Sequence, residues 1–167
     1  VANGTAWGAV YWQYFETLDQ ITSASTPLTL SRQLYIERNT DRGPVLEEIA
    51  ANNPLRVGDR VKVRLTLYVD REMEYVHLKD LRATCFEPVN TLSGFRYQNG
   101  IGYYENTRDV ATHFFFDRVR PGTYVFEYMV YVAQVGDFSD GISTIQCMYA
   151  PEFSSHSQGD RIKVRDN

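Results

Sequence analysis

The sequence predicts an all-β chain, an antiparallel β-sandwich of about seven strands with little helix. Three observations carry the prediction. From Val61 to Val69 the residues alternate without a break, with Val61, Val63, Leu65, Leu67 and Val69 on one side and Lys62, Arg64, Thr66 and Tyr68 on the other. Period-two alternation in a β-branched run is a strand with one buried and one wet face. Aromatic residues form 14% of the chain, with 12 Tyr and 9 Phe, and such side chains suit a pleated, half-buried surface. Turn signals recur at short intervals, and no long stretch keeps an apolar helical face.

The chain has 167 residues, enough for one domain, or one domain and a piece of another, with an ordinary core. Hydrophobic content of 43% against 23% charged residues excludes a disordered chain. The net charge of −4, with both signs interspersed, argues against nucleic acid as a partner, because phosphate binding wants a concentrated basic face. No window reaches the roughly 18 apolar residues of a membrane span, so direct membrane insertion is not expected. No signal peptide is visible, which says nothing of a parent's compartment; the chain opens on Val1 rather than Met and is expected to be a processed or excised piece.

In chain order, the aromatic run Trp7 to Ile21 alternates at its start and reads as a strand. Ser23 to Pro27 is small, polar and closed by proline, a linker and the best domain boundary. Leu28 to Arg38 is a strand, with Leu30, Arg32, Leu34 and Ile36 in one register. Asn39 to Pro44 is a turn, and Val45 to Ile49 a short extended or weakly helical piece. After the Val61–Val69 strand, Tyr75 to Leu81 is a second extended run that leads to Glu87-Pro88-Val89. Asn90 to Arg108, rich in Gly and Tyr, reads as a long surface loop or a distorted edge strand. Thr112–Phe116 and Thr123–Val132 flank a Pro121-Gly122 turn and read as a hairpin. The second arm is apolar on both faces, which predicts a central strand covered on each side. Gln134 to Gly141 is a turn region, Ile142 to Tyr149 a strand broken by Pro151, Ser154 to Gly159 a polar loop, and Arg161 to Val164 a last short strand.

The catalytic possibilities are poor. His77, His113 and His156 are far apart, with no metal-ligand spacing, so no metal and no cofactor are expected. Ser154, Ser155 and Ser157 surround His156, but a serine nucleophile needs a base, an orienting acid and an oxyanion hole, and no nucleophile elbow is present. Cys85 and Cys147 are read as free, buried thiols, although spacing alone leaves a pairing open. Asn3-Gly4-Thr5 matches a glycosylation sequon that arises often by chance. The surplus aromatics leave a second expectation, a carbohydrate- or ligand-binding sandwich that docks its ligand on aromatic residues of the 94–108 loop.

Six phrases in fixed order, VGDRVKVRLTL, DREMEYVHLKDLRA, FEPV, GYYENTRD, FFFDRVRPGTYVFEY and MYAPEFSSHSQG, carry a resemblance over roughly residues 28–164. The set resembles the C-terminal macroglobulin-type domain of bacterial alpha-2-macroglobulin-family proteins. The resemblance implies a macroglobulin-like β-sandwich, residues 25–167, with residues 1–24 as the closing strand of a preceding module plus a linker. It implies a non-catalytic role within a large protease inhibitor of the bacterial periplasm or cell envelope, as part of a lipid-anchored parent. The partners implied are other domains of the parent chain, namely a helical thioester-type domain and adjacent macroglobulin domains, and, through the parent, target proteases. A thioester needs Cys-x-Glu-Gln, and Cys85-Phe86-Glu87-Pro88 has Pro88 where Gln is required. Met148 and Tyr149 resemble the lock loop that covers the thioester in bacterial relatives, a role that suits a bulky pair able to exclude water and amines.

Overall fold

The computed structural model describes residues 8, 10, 13–49 and 54–166. Fourteen strands lie among them. The first seven are β1 (Leu28–Thr40), β2 (Gly43–Glu48), β3 (Leu55–Arg56), β4 (Arg60–Val69), β5 (Met73–Leu81), β6 (Phe86–Pro88) and β7 (Gly94–Gln98). The others are β8 (Ile101–Thr107), β9 (Ala111–Val119), β10 (Gly122–Val132), β11 (Gly136–Ser139), β12 (Ser143–Cys147), β13 (Ala150–His156) and β14 (Arg161–Arg165). They form a five-stranded sheet in the order β2-β1-β4-β10-β6, a six-stranded sheet in the order β13-β12-β5-β9-β8-β7, and a small sheet β11-β14-β3. Every pairing is antiparallel except β14 with β3. The β-sandwich predicted from the sequence is present, with more strands than the alternation alone suggests, among them the short β3, β6 and β11.

The Val61–Val69 strand is the centre of the five-stranded sheet. Val61, Val63, Leu65, Leu67 and Val69 are all buried, and each such side chain contributes about 1.5–3 kcal/mol relative to exposure. On the wet face, Glu127 of β10 accepts from Arg64 Nε at 2.6 Å, and Arg64 lies over the Tyr35 ring at 4.7 Å. Alternation thus becomes a core face and a face of cross-strand pairs. Between the sheets Phe126 meets Phe116 at 5.3 Å, Phe114 at 5.8 Å and the edge of Tyr103 at 5.2 Å between centroids. These rings fill the gap with the tilted geometries that aromatic pairs prefer.

Several sequence expectations change. β9 and β10 are not a hairpin: β9 pairs with β5 and β8 in one sheet, and β10 with β4 and β6 in the other. Pro121-Gly122 therefore turns the chain from layer to layer, with φ +151° at Gly122. β10 is central, but its outer face is open: Tyr131 is exposed and Glu127 is answered by Arg64 and Lys62.

The 90–108 region is neither a long loop nor a single edge strand but the hairpin β7–β8. Its turn is Asn99-Gly100, with φ of 55° and 77°, the type I′ signature. The Asn99 amide also donates to the Val125 carbonyl at 2.6 Å, capping the free edge of β10. Val45–Ile49 takes the extended of its two expected forms, as most of it lies in β2, which folds back on β1 across Asp41-Arg42.

Pro151 does not end a strand but lies inside β13. The register there shifts, so that Gln146 faces Ser154 while Cys147 faces Ala150, and the proline sits where the ladder is already broken. Within Trp7–Ile21, the described residues after Gln13 form a 3-10 turn, Leu18–Gln20, rather than a strand; Trp7, Ala9, Tyr11 and Trp12 lie outside the described residues. This turn is tied to the sandwich. Ser139 and Arg161 both bond Asp19, and the Gly159 amide donates to the Ile21 carbonyl at 2.8 Å.

Candidate functional site

Two places concentrate side chains with chemistry: one tip of the six-stranded sheet and the space between the layers. At the tip, β12 and β13 are joined by two residues, Met148 and Tyr149, between the paired Cys147 and Ala150. Met148 is 58% and Tyr149 80% exposed, so the turn projects a thioether and a phenol into solvent. Its base is held by β5. The Met148 amide donates to the Tyr75 carbonyl at 2.9 Å, and the Cys147 thiol to the Glu74 carbonyl at 3.2 Å. The Tyr149 ring meets Tyr75 edge to face, with centroids 5.2 Å apart and planes at 89°. Tyr75 itself has φ +53° and steps out of the ladder to β9. For a bulky residue that is the strained left-handed region, held only where the surroundings over-determine it.

Between the layers, Arg32 stands in the apolar register of β1 and Asp80 in that of β5. Arg32 Nε donates to Asp80 Oδ1 at 2.9 Å, and its two terminal nitrogens donate to the Asp140 carboxylate. Ser143 Oγ donates to Asp80 at 2.6 Å, and the Tyr128 hydroxyl also donates to it. Burial works against the Arg32 charge, but Asp80 and Asp140 outweigh it and hold the guanidinium ionised. Burial and the Asp80 charge push the Tyr128 phenol well above its usual range, keeping it a donor. Arg32 and Asp140 also line a polar cleft of about 700 Å³ between β1 and β14. With every polar contact satisfied, this cluster ties β1 and β10 to the facing sheet; it holds no free nucleophile or base.

The bacterial alpha-2-macroglobulin MG10 domain family matches residues 28–152, most of the chain. The chain belongs to that family. Three solved structures share the fold of this MG10 domain. Salmonella alpha-2-macroglobulin reacted with methylamine has a TM-score of 0.65 and 19% identity, over 85% of this chain and 9% of that one. Escherichia coli alpha-2-macroglobulin activated by porcine elastase has a TM-score of 0.69 and 19% identity, over 86% and 14%. Native E. coli alpha-2-macroglobulin spanning domain MG7 to the C-terminus has a TM-score of 0.65 and 15% identity, over 86% and 24%. The MG10 chain therefore spans a quarter or less of each of these chains. No curated protein matches it.

The other sequence candidates fall into place on the MG10 framework. Cys85-Phe86-Glu87-Pro88 enters and forms β6, with Cys85 fully buried. Burial and the nearby Asp140 push the Cys85 thiol up to about 12, the opposite of a reactive thiol. Both cysteines are free. Ser155 and Ser157 are buried and donate to the backbone carbonyls of Ala24 and Gln158, and the His156 ring bonds the Ser157 carbonyl at 3.1 Å, which leaves no base on a hydroxyl. Of the 94–108 aromatics, Tyr103 is core, while Phe95 and Tyr97 stand 83% and 79% exposed.

Two histidines that spacing kept apart come together. His77 Nε2 and His113 Nδ1 are 2.9 Å apart on neighbouring strands, with the rings stacked and Phe115 stacked on His77. Among the described residues no group of three or more His, Cys, Asp or Glu is placed to hold a metal.

The Arg32 cluster went unseen in the sequence. A cation in the Leu30–Ile36 register and an anion in the Val76–Leu78 register were its available signal, since a charge on a buried face needs a partner.

Proposed function

We propose that this domain is a non-catalytic unit of a large alpha-2-macroglobulin-like protease inhibitor, at its C-terminal end, which scaffolds and shields the protease-capture module. The observation that carries the reading is the Met148–Tyr149 turn: two bulky, exposed side chains at the junction of β12 and β13, braced against Tyr75 of β5. Such a tip suits exclusion. A thioester on a neighbouring domain survives only while water and amines are kept from it, and a phenol and a thioether inserted over it do that. The family and the fold likeness to inhibitors reacted with methylamine or activated by elastase support the parent's role. The periplasm or cell envelope, with a lipid-anchored parent, is the compartment that goes with this reading.

The test is Tyr149→Ala in the parent protein. Faster consumption of the capture group by methylamine, with unchanged folding of the domain, is the expected result; unchanged reactivity removes the shielding role. A second reading, a carbohydrate-binding sandwich, draws on exposed Phe95 and Tyr97. Saturable binding on a glycan array, lost in Tyr97→Ala, is its test.

A further inference from the structure

We propose that Tyr75 is the positioning residue of the Met148–Tyr149 tip, fixing the direction in which Tyr149 points; this rests on the reading of that tip as a shield. A two-residue turn at the end of a sheet has little of its own to orient a phenol that is 80% exposed. Two independent contacts from Tyr75 supply the orientation. Its carbonyl accepts from the Met148 amide at 2.9 Å, which fixes the backbone at the start of the turn. Its ring takes the edge-to-face position against Tyr149, which fixes the side chain. One residue thus grips both halves of the tip.

The Tyr75 carbonyl takes the next rung of the β5–β12 ladder, one step beyond Val76–Cys147, and so carries that pairing onto the first residue of the turn. On the other side of β5 the pairing with β9 runs from Glu74–Arg118 to Val76–Phe116 past Tyr75, which has φ +53°. The conformation is costly for any residue with a Cβ. Glycine or asparagine adopts it more readily, and neither offers a ring to Tyr149. The Glu74 carbonyl, taken by the Cys147 thiol, pins the preceding residue in the same direction.

The experiment uses this chain and its parent in parallel, with Tyr75→Phe, Tyr75→Ala and Tyr75→Gly. In the chain, NMR reads the Tyr149 ring environment and hydrogen exchange reads the Met148 amide. Tyr75→Phe keeps both as in the wild type. Tyr75→Ala shifts the Tyr149 ring to solvent-like resonances and, with no ring to hold its left-handed backbone in place, speeds Met148 exchange by roughly fivefold to thirtyfold, the scale of that backbone strain. Tyr75→Gly, which fits the left-handed backbone, keeps Met148 protected while freeing the ring, and so separates the two contacts and guards against a folding defect. An ordered Tyr149 in both Tyr75→Ala and Tyr75→Gly overturns the proposal.

In the parent, methylamine is the probe. Tyr75→Ala and Tyr149→Ala each speed its reaction, and the double variant is no faster than Tyr149→Ala alone, because both act through one ring. A disordered Tyr149 in the chain with no change in methylamine reaction for any variant overturns the shielding reading while upholding Tyr75 as the residue that positions the tip.

Discussion

Arg32 and Asp80 belong to opposite sheets and meet in the space between them, Nε to Oδ1 at 2.9 Å, with side chains 6% and 0% exposed. Asp80 has no water to fall back on and Arg32 almost none. Removing one partner leaves the other buried and uncompensated, which costs far more than the pair's net contribution.

Arg32→Met strands both Asp80 and Asp140, and the expected loss is about 3–5 kcal/mol in urea-unfolding free energy. A change below about 1 kcal/mol means that the two carboxylates reach water without the guanidinium.

The stacked pair His77 and His113 predicts a pH effect. Burial holds the His77 pKa below its usual value, with His113 and Lys79 adding to it; burial, Lys79, Arg108 and Arg82 do the same for His113. The folded state therefore binds fewer protons here than the unfolded chain. This contribution is complete above about pH 6.5, the ordinary histidine value, and is lost as pH falls through and below it. The thermal midpoint should drop from pH 7.5 to pH 5.5, and the His77→Gln, His113→Gln double variant should flatten that slope.

Gly141 has no room for a side chain. A Cβ there would lie 2.3 Å from the Leu81 carbonyl oxygen, which is backbone and cannot swing away. Gly141→Ala should destabilise by about 1–3 kcal/mol or more, and denaturant melts of the variant check it. Gly94→Ala, where nothing lies within 4 Å, is the matching control and should change little.

Cys85 should stay unmodified by a thiol reagent at pH 8 for as long as the domain is folded, because burial takes away both access and thiolate. Mass spectrometry after iodoacetamide reads this, with labelling appearing only in denaturant.

What could be read from the sequence was whatever depends on neighbours along the chain. The Val61–Val69 alternation fixes which side chains go inward, and the structure follows it residue for residue. Whether two consecutive strands share a sheet does not depend on neighbours. Thr112–Phe116 and Thr123–Val132 look like a hairpin because each is a good strand and a Pro-Gly turn lies between them. Their large inward rings, Phe114, Phe116 and Phe126, are better buried facing one another across the gap than side by side in one sheet. Asn99-Gly100 was legible and is a lesson in weighting, since a single Asn-Gly outweighs the loop-like composition around it. The tip was recognisable only through the resemblance of its phrase, and Tyr75 carries no local mark at all. Its role comes from a backbone angle and from a partner more than seventy residues away.

The chain changes layer repeatedly after β4: β5 goes to the six-stranded sheet, β6 to the five-stranded one, β7 to β9 back again, β10 across once more and β12 back. Neither layer is encoded by one continuous piece of sequence. β4 waits for β10 until everything between has been made, and β5 waits in the same way for β12. Folding must therefore close distant pairings before any of them is rewarded, which makes it slow relative to a helical chain of this length. The same weaving means that a cut in the middle of the chain disables both faces together.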